Sequence, residues 1–197
     1  MRRIAQLTAL LLAVAVFNAE ANEVEVRAAG LEAVEDGLVL NADFAFELSQ
    51  RLEEIVANGV PLYFRVEFEL TRPRWYWLDE KAASRVLQLR LSYHALSRHY
   101  RLSSGPLQQN FATLGEALNV LKRVRNWLVL DRTATFSDAD YEAAVRLRLD
   151  AGMLPRPFQL SALTSRELQL ESAWKRFTVR PAQTPAPVES RNPQGAR

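Results

Sequence analysis

Apolar and polar residues alternate with a period of two along several stretches of this chain. Leu38, Leu40, Ala42, Phe44 and Phe46 share one face, with Asn41 and Asp43 on the other. Leu62, Phe64, Val66, Phe68 and Leu70 oppose Tyr63, Arg65, Glu67 and Glu69. Leu87, Leu89, Leu91 and Tyr93 oppose Gln88, Arg90, Ser92 and His94, and Tyr141, Ala143, Val145, Leu147 and Leu149 oppose Glu142, Arg146, Arg148 and Asp150. Successive side chains of a strand point to opposite faces, so each stretch reads as a strand with one buried and one wet face. That is the habit of antiparallel sheets; a parallel sheet covered on both sides would give unbroken apolar runs. Val24–Arg27, Trp75–Leu78, Arg98–Leu102 and Trp127–Leu130 are shorter strand candidates.

Two helices interrupt the alternation. Leu48, Leu52, Ile55 and Val56 follow helical spacing, and Asn58-Gly59 is a stop signal. Thr113 with Glu116 forms a capping box ahead of the stripe Leu114, Leu118 and Leu121. The segment Leu163–Phe177 fits a helix through Leu163, Leu170, Trp174 and Phe177, and a strand through Leu168, Leu170 and Trp174. Leu154-Pro155-Arg156-Pro157 reads as an extended connection, because proline is excluded from helix interiors and central strands. The fold class that follows is α+β and β-rich. It is an antiparallel β-sandwich, immunoglobulin-like in general architecture, of about seven to nine strands with two edge helices.

The ends of the chain differ from its body. Met1-Arg2-Arg3 precedes an apolar run from Ile4 to Phe17, which closes on Asn18-Ala19-Glu20-Ala21. This order of charge, short apolar core and small-x-small site reads as a secretory signal peptide over residues 1–21, cut before Asn22. The run is shorter than the ~20 apolar residues of a permanent span, and the address it implies is the periplasm. Residues 22–180 read as one domain, and 181–197, with four prolines and little apolar bulk, as a disordered tail.

Composition narrows the chemistry. Lys+Arg and Asp+Glu balance across residues 22–180, which provides no bulk attraction to nucleic acid or anionic lipid. Zero cysteines means no disulfide, no thiol nucleophile and no thiolate metal site, and it suits a bacterial periplasm. Seven glycines leave little backbone for a phosphate-binding loop. His94 and His99, across a hairpin turn at Ala95–Ser97, read as wet-face strand residues and not as zinc ligands. Ser103-Ser104-Gly105 reads as a turn and not as a nucleophile elbow. Asp79, Glu80, Asp138, Asp140 and Glu142 would serve as acid and base only if one of them were desolvated. Asp138-x-Asp140 lacks the glycine of a calcium loop. No catalytic residue, metal site or cofactor is expected.

The most unusual stretch is Arg72-Pro73-Arg74-Trp75-Tyr76-Trp77. Trp, Tyr and Arg are the residues of binding hot spots, so Arg72, Arg74, Trp75, Tyr76 and Trp77, with Trp174, are the candidate binding residues. A second strip, Leu154–Phe158 with Trp174–Phe177, is expected to dock on its own domain.

Arg74-Trp75-Tyr76-Trp77-Leu78-Asp79-Glu80-Lys81, the block from Leu91 to Leu102, Leu154–Leu160 and Ser172-Ala173-Trp174 together resemble the domain of unknown function 4390. That is a family of exported proteins mainly of beta-proteobacteria, and the resemblance spans roughly residues 22–180. The resemblance carries no activity or catalytic residue. It implies a neighbourhood with a membrane sensor kinase of the nitrogen-regulation type, and hence an envelope accessory to two-component signalling. The expected function is a non-catalytic periplasmic binding module with an envelope protein as partner. The alternatives are an envelope enzyme acting on cell-wall glycan and a structural or assembly factor. Amino-terminal sequencing of the exported protein should read from Asn22; a mature protein that retains Met1 or begins elsewhere refutes the cleavage site.

Overall fold

The four strongly alternating stretches all become strands in a computed structural model, which describes residues 24–73, 80–134 and 136–181. The strands are β1 (Glu25–Val34), β2 (Gly37–Ala45), β3 (Leu62–Arg72), β4 (Glu80–His94), β5 (His99–Ser104), β6 (Leu107–Phe111), β7 (Arg123–Asp131), β8 (Tyr141–Leu149) and β9 (Lys175–Val179). They form two antiparallel sheets, one of three strands in the order β1-β2-β7 and one of six in the order β6-β5-β4-β3-β8-β9. The architecture is the expected β-rich sandwich.

Strand β3 is central. It pairs with β4 from Leu62 opposite Leu91 to Arg72 opposite Glu80, and with β8 from Phe64 opposite Leu149 to Thr71 opposite Glu142. Its apolar face, Leu62 through Leu70, is fully buried, and Phe46 stacks on Phe64 with ring centroids 6.0 Å apart. Two helices close the ends of this core. In α1 (Gln50–Ala57), Leu52, Ile55 and Val56 turn inward. In α2 (Leu114–Leu121), Ala117, Leu118 and Leu121 do so.

The helix caps follow their sequence signals. Ser49 Oγ accepts from the Leu52 N–H, and Gly59 adopts φ 85° after the Asn58 cap. Thr113 Oγ1 accepts from the Glu116 N–H, while Glu116 Oε2 accepts from Ala112 N–H, one residue before the position a capping box uses. At the entry to β2, a side chain on Gly37 would place Cβ 2.0 Å from the Leu130 carbonyl oxygen, so the β2–β7 pairing requires glycine there.

Three segments differ from the sequence expectation. Leu154-Pro155 is extended, but Arg156 and Pro157 open a third helix, α3 (Arg156–Thr164). Proline is compatible with a first turn because those N–H groups have no partner within the helix. The stretch 163–177 is neither one helix nor one strand: α3 ends, a 3-10 turn follows at Arg166–Leu168, and β9 begins at Lys175. Strand β6 was not predicted, because four of its five residues are exposed and no face of it imposes a pattern. The Trp75–Leu78 candidate and the tail beyond Pro181 lie outside the described residues, as does the signal segment.

Truncating the centre of the core measures how far the two sheets depend on β3. Phe64→Ala is expected to lower unfolding free energy by about 3–5 kcal/mol in a single cooperative transition, read by urea denaturation. A loss below about 1 kcal/mol would mean that Phe64 does not anchor the sandwich.

Candidate functional site

The wet face of the large sheet is organised around one buried carboxylate. The β3–β8 register sets Glu67 opposite Arg146 and Arg65 opposite Arg148. Glu67 is only 7% exposed, and a carboxylate buried without partners would be strongly disfavoured. Arg146 Nε donates to its Oε2 at 2.7 Å, Arg148 Nε to its Oε1 at 2.9 Å, and Arg65 Nε lies 3.6 Å from the same Oε1. Burial pushes the Glu67 carboxyl up, but the Arg146 and Arg148 hydrogen bonds outweigh it and hold the group below its ordinary value. Arg146 also reaches Glu171, and Arg65 reaches Asp150 Oδ2 at 3.5 Å, so three cations meet three anions.

This cluster also fixes the last part of the domain. Ser172 Oγ accepts from the Leu147 N–H at 3.0 Å and the Ser172 N–H donates to the Leu147 carbonyl at 2.9 Å. The chain then leaves the β8 ladder at Ala173-Trp174 and rejoins it with Lys175 opposite Val145. The half-buried Trp174 ring lies 4.5 Å from the Arg146 guanidinium carbon, a cation–π contact on the same cluster.

The other half of this face has the opposite character. From Lys81 to Gly115 the sequence contains no Asp or Glu. Register and alternation place Arg90, Ser92 and His94 of β4 beside His99, Arg101 and Ser103 of β5, and Gln108 and Asn110 of β6 beside those. Arg90 lies 5.9 Å from the Tyr63 ring centroid, and Arg101 Nε donates to Asn110 Oδ1 at 3.2 Å. Among the described residues neither arginine makes an ion pair, whereas Lys81, Arg148 and Arg176 are paired with Glu69, Glu67 and Glu142. The signal was present in the sequence as the acid-free run, but the balanced charge of the whole body concealed it.

The sequence-predicted candidates are not gathered into one place. Arg74, Trp75, Tyr76 and Trp77 lie outside the described residues, as does Asp79. Arg72 is half-buried at the end of β3 and alternates onto the face of Phe68 and Leu70, whereas Trp174 stacks on the opposite, wet face. His94 and His99 oppose one another on the exposed hairpin, both near Ser97. Among the described residues no group of three His, Asp or Glu could hold a metal ion. Asp140 is bound by Arg180, whose hydrogen bond holds it below the ordinary carboxylate range, and Glu142 pairs with Arg176 at 3.2 Å. Glu67 and Asp140 are thus both displaced toward the anion, away from what a general acid needs.

The second predicted strip folds back on its own domain: Leu154 is buried, and Phe158 packs on the core with Arg51 5.9 Å above its ring. Two open grooves flank the small sheet. One of about 610 Å3 lies between Val34, Leu38, Leu130, Phe136 and Pro181, and one of about 530 Å3 lies between β1 and Trp174.

Residues 21–178 match the family Domain of unknown function (DUF4390). No curated protein and no solved structure matches the chain.

The Glu67 cluster makes a prediction about acid stability. A carboxyl held below its unfolded value of 4.5 contributes stability that is complete above that pH and lost as pH falls through the folded value. Glu67→Gln should therefore destabilise the protein at neutral pH by about 1–3 kcal/mol and should flatten the acid limb of the stability profile. Thermal unfolding of both proteins from neutral pH downward checks this; parallel profiles would show that Glu67 does not set the acid response.

Proposed function

This chain belongs to the DUF4390 family, and we propose that it is a non-catalytic binding module of the periplasm that offers the acid-free face of β4 and β5 to an envelope partner. The observation that carries this reading is the separation of charge on one sheet. Around Glu67 every arginine is neutralised by a carboxylate; on β4 and β5, Arg90 and Arg101 have no anionic partner among the described residues. An unneutralised arginine on a sheet face attracts anionic groups during diffusional encounter and holds carboxylates through its planar fork. The body as a whole has balanced charge, so the attraction is local to this face.

The periplasmic address rests on the signal-like segment 1–21, and the candidate partner on the resemblance that placed a membrane sensor kinase beside members of this family. The partner proposed is the extracytoplasmic domain of that kinase. Trp174 is assigned a supporting part: it holds the Arg146 side of the cluster and is half-covered by it.

Calorimetric titration of the purified mature protein against that kinase domain tests the proposal. Binding should weaken as salt rises, and the double variant Arg90→Glu, Arg101→Glu should lose at least about tenfold in affinity. Unchanged affinity in the double variant would remove the surface; absence of binding by the wild type would remove the partner.

A further inference from the structure

The two sheets expose four edges, and three of them carry features that discourage further pairing. Strand β1 is broken by a register shift between Val26 and Ala28 and bears Glu25, Arg27 and Glu32. Strand β7 shifts register twice against β2, has Asn126 at φ 52°, and bears Arg123 and Arg125. Strand β9 opens with Lys175 and Arg176. Bulges and charged side chains are the usual guards of a sheet edge, whose unpaired N–H and C=O groups would otherwise recruit another strand.

Strand β6 has none of these. Its residues, Leu107-Gln108-Gln109-Asn110-Phe111, include no charge and no proline, and it pairs with β5 without a register shift. Leu107 through Asn110 are exposed, so no described element covers this edge. The hairpin is held firmly by the Gly105-Pro106 turn, with Gly105 at φ 54° as the first central residue.

The two faces beside this edge differ in chemistry. On the wet face, Arg101 reaches from β5 to Asn110 on β6, so its guanidinium is directed to the edge strand. On the other face Leu107, 70% exposed, and the half-buried Phe111 flank the exposed Gln109. A strand laid along β6 at the usual ~4.8 Å spacing would meet a cation and amides on one face, and on the other the exposed Leu107 with Gln109 and the edge of Phe111.

We infer that β6 is a docking edge that takes an extended partner segment alternating acidic and apolar residues, added to the large sheet by strand addition. The inference rests on the binding-module reading and specifies how the partner attaches. The occupant is a foreign acidic segment and not a second copy of this chain. Pairing β6 with its own copy would bring two acid-free faces side by side, with Arg101 facing Arg101 across neutral strands.

The test uses the full mature protein and two capped synthetic peptides, one alternating glutamate and valine and one alternating lysine and valine. The glutamate peptide should bind and the lysine peptide should not. Arg101→Glu and the near-isosteric Asn110→Asp should each weaken binding at least about tenfold. At saturation, backbone amides of β6 should gain protection from hydrogen exchange. Binding that depends on Arg101 without protection of β6 overturns strand addition and leaves the basic-face reading in place. Failure of the glutamate peptide to bind overturns the acidic segment as occupant. Protection of β6 in the protein alone, with a dimer in sedimentation, assigns the edge to a second copy and overturns the inference.

Discussion

Strand β3 must serve two environments that exclude one another. One face meets the small sheet and α1, where Phe64, Val66 and Phe68 are wholly buried. The other lies at the middle of a six-stranded sheet, too crowded for Glu67 to remain in water. The fold resolves this by bringing Arg146 and Arg148 from β8 to the carboxylate, and by extending the cluster to Glu171 and Trp174. Replacing such a network with apolar side chains is often neutral in stability, so its value lies elsewhere. A one-residue slip of β8 against β3 would turn Arg146 and Arg148 into the core and Val145 and Leu147 out of it. The charges thus make the correct register the one compact arrangement in which both faces are satisfied.

The same cluster explains why charge is distributed so unevenly. Glu67, Asp150 and Glu171 all serve to neutralise arginines that hold β3, β8 and the segment before β9 together. Nothing in that task requires acids on β4, β5 and β6, and none is found there from Lys81 onward. Lys81 and Arg85 reach acids on β3 and β7, Glu69 and Asp131, but Arg90 and Arg101 are held by an aromatic ring and a side-chain amide. Such contacts orient a guanidinium without neutralising it, and an oriented but uncompensated charge is better suited to meeting a partner than to stabilising a fold.

Much of this architecture was legible in the sequence because burial on one face imposes a period. β2, β3, β4 and β8 declared themselves that way, and the edge helices were marked by the Asn58-Gly59 stop and by the Thr113–Glu116 capping box, whereas the Ser49 cap emerges only in the structure. β1 was underestimated because its register shift near Arg27 breaks the alternation, and β6 was missed because neither face is buried. The α3 start was hidden by prolines that a helix accepts only in its first turn. The Glu67 cluster was beyond local reading: its partners Arg146 and Arg148 stand 79 and 81 residues away, and only the strand register brings them together. The acid-free half was present as a run of letters, but a net charge averaged over the domain erased it.

The positions of the termini bear on which surface is available. Val24 bridges Ser172, next to the start of β9, and β9 ends shortly before Pro181. Both ends of the described domain therefore leave from the β9 side of the molecule, where charged residues and the Glu67 cluster are concentrated. Strand β6 is at the opposite edge of the same sheet, five strand spacings away, or roughly 24 Å. Val24 and Pro181 themselves are thus on the side of the sheet away from the neutral edge and its neighbouring arginines. Among the described residues, one side of the sheet secures the chain to itself, and the β6 edge takes no part in that task.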